Sequence, residues 1–438
     1  MTNARSKPRS VPQSRLARSA ALGGTTTRIL GNLAVGGLGE LARGRRPEFR
    51  DLLLTPNNVQ RLTDQLARMR GAAMKLGQLI SMDGGDVLPP ELVDILARLR
   101  AEADFMPAKQ LKSVLNSGWG EGWLRQFKHF DVRPIAAASI GQVHRAVTRD
   151  GHELAIKVQY PGVRRSIDSD VDAVGQLVCV SGLLPPNLDL KALLEEAKIQ
   201  LHQEADYLRE AQALSTYRHH LGDDARFDIP ALHADLTTDT ILAMEFQNSQ
   251  PLDVLESASQ ADRDRLMADL LDLTLKELFE FRFMQTDPNF ANYRYHPEAS
   301  RIVLLDFGAA RPVPNWVSDG YKALLVAGLN GDAAGVEAHS LDLGFLPKDA
   351  SEAERAEILG MIGFSFEMLA QPRLFDFGDP APAQEMRRRG YDLAQDMTHI
   401  HIPPIETLFV QRKFAGMYLL ARRLGSRVDL GALLNRYI

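Results

Sequence analysis

The sequence predicts an α+β protein of two lobes, the first rich in β-structure and the second in helix, with helical extensions at both ends. Three observations predict it. Short β-like runs separated by glycines cluster between Pro134 and Val158. Long stretches with apolar residues at three- and four-residue steps lie on either side of them. The chain of 438 residues is 45% hydrophobic, enough for two to four units at ~100–200 residues each. A β-rich block followed by a helix-rich block is the α+β pattern.

The first element is a basic arm. Residues 1–50 carry ten Lys or Arg and two Glu, a net +8, whereas residues 51–438 carry 41 basic and 54 acidic residues, a net −13. The body is therefore unsuited to holding nucleic acid by bulk charge. The arm suits an anionic surface, most simply phospholipid. No run reaches the ~20 apolar residues of a spanning helix. The nearest, Ile29 to Ala42, contains Glu40 and the glycines 31, 36, 37 and 39. Met1 to Ala20 is basic but lacks the apolar core of a signal peptide, and its Arg-rich, acid-poor character also resembles a transit peptide. The expectation is peripheral membrane attachment, in a bacterial cytoplasm or, after import, on the matrix side of an organelle. The Gly31–Gly39 stretch and the helical extension could also pack against a second copy. Cys179 is the single cysteine, which excludes an intrachain disulfide and a cysteine zinc site.

Residues 58–82 follow as a helix, since Val59, Leu62, Leu66, Met69, Ala73, Leu76 and Ile80 share one face. Leu88-Pro89-Pro90 stops it, and Glu91–Leu99 begins another. The β-rich block then supplies strands at Ile140–Ala146 and Glu153–Gln159, joined through the hairpin-type turn Arg149-Asp150-Gly151. A helix over 191–219, a buried strand over Thr240–Phe246, a helix over Asp262–Phe283 and a short strand at Arg301–Leu305 come next. Beyond about residue 317 the pattern is helical, with a Pro/Gly-rich break at 372–382. These readings divide the chain into an arm (1–50), a helical extension (51–130), a β-rich lobe (131–247) and a helix-rich lobe with C-terminal helices (248–438).

The chemistry is concentrated late in the chain. Asp287 precedes Asn292 by five residues in Gln285-Thr286-Asp287-Pro288-Asn289-Phe290-Ala291-Asn292, and Asp306-Phe307-Gly308 closes an apolar strand shortly after. This is the catalytic-loop and metal-loop spacing of protein-kinase-like folds. Phosphoryl transfer needs oxygen ligands for a divalent cation that bridges phosphates, hence Asn292 and Asp306. It also needs a carboxylate near the attacking hydroxyl, hence Asp287. A second Asp376-Phe377-Gly378 follows no apolar strand and reads as a turn.

The same reading requires a strand lysine upstream, which Leu154-Ala155-Ile156-Lys157-Val158 supplies. Glu204, Asp206 and Glu210 on the next long helix are the candidates to pair with Lys157. Asp206 and Glu210, four residues apart, share a face. In a regular helix Glu204 is turned about 200° from Asp206. Met244-Glu245-Phe246 fits a nucleotide-binding hinge, with Met244 at the back of the pocket and the backbone near Glu245 to Gln247 meeting adenine. The phosphate-covering loop departs from the usual glycine-rich pattern: it reads Ala136-Ala137-Ala138-Ser139-Ile140-Gly141-Gln142-Val143. Alanine restricts the backbone approach that glycine permits. A different nucleotide pose is expected.

Together these residues resemble the UbiB/ADCK family of atypical kinases, whose members carry an AarF domain. The resemblance rests on the Ala-rich loop, Lys157 in Ala-Ile-Lys-Val-Gln-Tyr-Pro-Gly, Glu204-Ala205-Asp206, the Asp287–Asn292 loop, Asp306-Phe307-Gly308, and Lys75-Leu76-Gly77-Gln78, the Lys-x-Gly-Gln signature. It covers roughly residues 55–430. The wording Met284-Gln285-Thr286-Asp287-Pro288-Asn289 is closer to the mitochondrial coenzyme Q branch than to the usual bacterial one. That bacterial branch has C-terminal membrane helices, whereas residues 433–438 here add no apolar span. The resemblance implies a protein-kinase-like fold, ATP or ADP with Mg2+ as cofactors, and ATPase or small-molecule kinase chemistry supporting ubiquinone biosynthesis. Quinone-precursor lipids and ubiquinone-biosynthesis proteins are the partners it implies. It further implies that Lys75 and Gln78 enter the active site from a helix lying where a protein kinase holds its peptide, with Glu204 as the partner of Lys75.

After Asp306-Phe307-Gly308 the chain passes through Ala309–Pro314 straight into helix, leaving no long activation segment and no Ala-Pro-Glu anchor. A conventional protein kinase is therefore not expected; the leading expectation is an enzyme that binds Mg-ATP, with Lys157 on the phosphates, Glu210 orienting Lys157, Asn292 and Asp306 on the metal, and Asp287 orienting or deprotonating an attacking water or hydroxyl. Two other readings share these residues: a nucleotide-gated lipid- or protein-binding module without significant turnover, and a kinase for a small hydroxyl substrate.

Overall fold

A computed structural model describes residues 69, 71–73, 75–77, 105–181, 190–287, 289–370, 374–396 and 403–438. The basic arm, most of the helix expected over 58–82 including Gln78, and the helix expected at Glu91–Leu99 lie outside the described residues. The chain divides into two units, Met1–Gln212 with Pro230–Gln247, and Ala213–Ile229 with Asn248–Ile438. The fold is α+β.

The first unit is built on an antiparallel sheet of β1 (Phe127–Phe130), β2 (Ala136–Ala137), β3 (Gly141–Thr148), β4 (Glu153–Gln159) and β6 (Ile241–Glu245). Its order is β1-β3-β4-β6, with β2 also paired to β3. The β3–β4 turn is the hairpin expected at Arg149-Asp150-Gly151, and Gly151 takes φ +96°, a conformation that glycine adopts without strain. Strand β4 is central, and its neighbours on the two sides are fixed by register: Lys157 stands opposite Val143 and Leu242. Alternation then sorts the side chains. Leu154, Ile156 and Val158 face a core built with Leu111 and Leu115 of α1 (Ala108–Trp119). Lys157 and Gln159 face the opposite layer.

That layer is helical. It contains α2 (Val163–Ser181), α3 (Leu190–Glu204), the first six residues of α4 (Tyr207–Leu221), whose remainder from Ala213 belongs to the second unit, and the helical residues 71–73 and 75–77. The pattern over 191–219 predicts one helix, but the structure has two. The chain breaks at Ala205-Asp206, where the Gln159 side chain donates to the Ala205 carbonyl (3.0 Å) and Asp206 accepts from the Arg209 amide (3.1 Å), capping α4. The break is tertiary in origin, since Gln159 lies 46 residues away in the chain. The 200° separation between Glu204 and Asp206 therefore does not apply.

The second unit is organised by α5 (Gln260–Phe279), a helix buried along most of its length, with Ser259 as its N-cap. The helical pattern to Phe283 overshoots. The helix ends at Phe279, Arg282 takes φ +48°, and β8 (Phe283–Gln285) begins. Strand β8 pairs with β11 (Ala310–Pro312), while β9 (Tyr293–His296) and β10 (Arg301–Leu304) form a hairpin in a sheet ordered β5-β10-β9-β7, where β5 is Phe227–Asp228 and β7 is Gln250–Pro251. Helices α6 (Asn315–Leu329), α7 (Ala333–Asp342), α8 (Glu352–Leu369), α9 (Ala381–Asp396) and α10 (Ile405–Leu424) complete most of the unit. Asp376-Phe377-Gly378 is a turn, as expected: the Gly378 amide donates to the Asp376 carboxylate at 2.8 Å, and Phe377 is buried. Among the described residues no helix is long and apolar enough to cross a membrane.

Candidate functional site

The first unit presents two lysines, each against a carboxylate. Lys157 Nζ lies 2.9 Å from both oxygens of Glu210, and both side chains are buried. The Tyr207 ring lies 5.2 Å from the same ammonium. Of the three carboxylates the sequence offered, Glu210 is the one that meets Lys157. Asp206, which the sequence placed on the same face, caps α4 instead, because the helix starts one residue after it. Lys75 Nζ donates to Glu204 Oε1 at 2.7 Å, and Ser139 Oγ donates to Glu204 Oε2 at 2.6 Å. One carboxylate thus joins the Lys-x-Gly-Gln helix to the Ala-rich loop.

The loop is narrower than its sequence suggests. Ala136 and Ala137 pair with Val143 and Gln142. The Ala138 amide donates to the Gly141 carbonyl at 2.9 Å, so Ser139 and Ile140 form the tip of a tight hairpin. Ile140 is buried in the helical core with Ala72 and Leu76. Gly141 is required where it stands, because a Cβ there would meet the Val158 carbonyl oxygen at 2.6 Å and the Tyr207 hydroxyl at 2.7 Å. Gln142 corrects an expectation. Register places it beside Val158, on the face away from Lys157, and its side chain is fully buried. It accepts from the Met106 amide (2.9 Å) and bonds His144 (2.8 Å), so it holds the core and does not reach a phosphate. His144 itself is held neutral: burial pushes its pKa down to about 4, against the opposing hydrogen bond to the Asp131 carbonyl.

Met244 is buried on β6 and pairs with Ala155. At the expected hinge, the Glu245 amide donates to Ala231 (2.8 Å) and the Phe246 amide to Glu153 (2.8 Å). These two donors are spent within the unit.

The second unit presents oxygens on turns. The β8–β11 and β9–β10 pairings carry Asp287–Asn292 and Asp306-Phe307-Gly308 into neighbouring positions, since Gln285 is opposite Ala310 and Tyr293 is opposite Leu304. Asn292 Nδ2 points at the Asp287 carbonyl (3.4 Å) and carboxylate (3.5 Å), which turns the Asn292 amide oxygen away from Asp287. Asp306 Oδ1 accepts from the Gly308 amide at 2.9 Å. Gln285, within the quoted motif but given no role by the sequence reading, ties both loops. It accepts from the Asp287 amide at 2.5 Å and donates to the Asp306 carbonyl at 3.1 Å. An amide oxygen and a carboxylate are hard donors and too few for a full protein cage. That set fits Mg2+, which keeps water and takes phosphate oxygens, better than a softer metal. Among the described residues no group of three or more His, Cys, Asp or Glu forms a separate metal cluster.

Comparison with known proteins follows this geometry. Residues 98–340 match the ABC1 atypical kinase-like domain. Over 434 residues the chain is 36% identical to "Atypical kinase COQ8, mitochondrial" of Saccharomyces cerevisiae, covering 98% of this chain and 85% of that protein. It is 38% identical over 438 residues to "Atypical kinase COQ8B, mitochondrial" of Rattus norvegicus, covering 97% and 80%. The solved Rv3197–erythromycin complex from Mycobacterium tuberculosis is similar in fold, with a TM-score of 0.60 and 24% identity over 85% of this chain and 93% of that one.

Proposed function

We propose, for a chain that belongs to the ABC1 atypical kinase-like family, that it binds Mg-ATP and hydrolyses it in support of ubiquinone biosynthesis at a membrane surface, without acting as a conventional protein kinase. The observation that carries the reading is the buried Lys157–Glu210 pair, with Nζ 2.9 Å from both carboxylate oxygens. A buried ammonium held at a defined point by a bidentate carboxylate is arranged to meet a second anion without reorganising. In this reading Lys157 takes phosphate oxygens and Glu210 orients it. Asn292 and Asp306 hold the cation, and Asp287 orients or deprotonates the attacking water. Bound Mg2+ would neutralise charge on the transferring phosphoryl group.

The departure from protein kinases is supported by the short passage from Gly308 to α6. Ala310 already pairs in β11, and Asn315 starts the helix, so residues 309–314 are too few for a peptide-docking segment. The link to ubiquinone is supported by the resemblance of the motifs to the coenzyme Q branch and by the COQ8 relatives. The Ser139–Glu204–Lys75 chain favours a second reading, a module that changes shape on binding nucleotide without useful turnover.

Mg-dependent ATP turnover, measured with and without anionic liposomes, separates the two. Asp306→Asn should lower turnover about 100-fold or more. Turnover equal to the parent's would sink the assignment. Nucleotide binding with no turnover in either protein would transfer the weight to the binding module.

A further inference from the structure

Lys413 on α10 and Glu277 on α5 are each 1% exposed, and Nζ lies 3.0 Å from Glu277 Oε2. Two charges taken that far from water gain no stability over apolar side chains of the same size. Burial alone would discharge Lys413, but Glu277 and Tyr293 outweigh it and raise its pKa. The lysine is thus kept as a cation inside the unit.

The contacts around the pair lead toward the oxygen donors. Lys413 Nζ donates to the Tyr293 hydroxyl at 2.8 Å, and Tyr293 directly follows Asn292. On the other side, the Tyr217 hydroxyl donates to Glu277 Oε1 at 2.7 Å. The Tyr217 ring lies 5.0 Å, centroid to centroid, from Phe307, which directly follows Asp306. A cavity of about 10 Å3 fills the middle, lined among others by Glu277, Gln285, Asn292, Asp306 and Phe307. That is room for about one water. The pair therefore reaches both loops through one residue each, and Glu277 shares a cavity wall with both candidate ligands.

We infer that Glu277, Lys413, Tyr217 and Tyr293 form a buried brace whose work is to set the positions of Asn292 and Asp306 for the cation. They are positioning residues, acting through Tyr293 and Phe307. The inference rests on the reading of Asn292 and Asp306 as cation ligands. The hydrogen bonds have fixed directions and lengths that an apolar core lacks, so replacing the charges with neutral isosteres loosens the loops while keeping the volume.

The test titrates Mg2+ into the full chain with a fluorescent ATP analogue. The proteins are the parent, the double variant Glu277→Gln with Lys413→Met, the single variant Tyr293→Phe, and Asp306→Asn as reference. The double variant should need about 10-fold more Mg2+ for half-maximal binding, with metal-free nucleotide affinity unchanged to within about twofold. Tyr293→Phe, which removes one hydroxyl, should shift the midpoint in the same direction. A folded double variant with the parental Mg2+ midpoint overturns the brace. If the double variant does not fold, Tyr293→Phe decides alone, and its parental midpoint is equally fatal. An equal loss of metal-free and metal-dependent affinity would mark the residues as merely structural and also overturn it. A parent whose binding ignores Mg2+, or an Asp306→Asn midpoint like the parent's, removes the cation reading itself and is distinguishable from all of these.

Discussion

Lys157 in the first unit and Lys413 in the second are both buried against glutamates, but in different ways. Lys157 stands on the central strand of a sheet, its side chain 10% exposed, with both Glu210 oxygens at 2.9 Å and the Tyr207 ring nearby. Lys413 stands on a helix inside the second unit, 1% exposed, and bridges a glutamate to a tyrosine. The first pair retains access through which a ligand anion could be met. The second is sealed, and what it can affect is the set of backbones around it. On the proposed reading, chemically similar pairs serve contact in one unit and placement in the other, and burial is what distinguishes them.

The largest effect should fall on the sealed pair. Glu277→Ala leaves Lys413 buried without its carboxylate and should cost about 3–5 kcal/mol of stability in a urea melt. Glu210→Ala should cost less, roughly 1–3 kcal/mol, because Lys157 keeps some exposure and the Tyr207 ring. Equal losses would break the comparison.

An effect confined to acid pH comes from His144 on the first unit's other face. Its folded pKa of about 4 lies below the ordinary 6.5, so the fold favours the neutral ring. That stability is fully present above pH 6.5 and is lost as pH falls from 6.5 toward 4. The loss amounts to about 3 kcal/mol once both states are protonated. Thermal melts between pH 7.5 and 4 should fall more steeply for the parent than for His144→Gln. Parallel curves would show that the ring titrates freely. A change comparable to that at Glu210 concerns the loop: Gly141→Ala should cost about 1–3 kcal/mol, because the Val158 carbonyl cannot move off the strand. An unchanged melting temperature would show that Tyr207 and β4 can give way.

Periodicity and turn chemistry decided much by themselves. Strand β4 and its Gly151 turn, the α+β class and the atypical-kinase resemblance all follow from local pattern, because alternation, glycine at positive φ and motif spacing are properties of short segments. The same local rules misplaced what depended on distant residues. A continuous helical pattern over 191–219 does not reveal that Gln159 will claim the Ala205 carbonyl and that Asp206 will cap a second helix, although the meeting of Glu210 with Lys157 is the one expected from the sequence. Gln142 looked like part of a phosphate loop until register turned it into the α1 face.

Lys413 carried no signal at all. A lysine in an amphipathic helix reads as solvated, and only tertiary packing brings Glu277, 136 positions earlier in the chain, to within 3.0 Å of it. The sequence by itself determined which residue types could do phosphoryl chemistry and in what order they come. The tertiary structure decided the meeting of Glu277 with Lys413 and the side on which Gln142 is buried, because partner choice depends on burial and on the direction of a side chain across a sheet or helix. Both are set by residues far away in the chain.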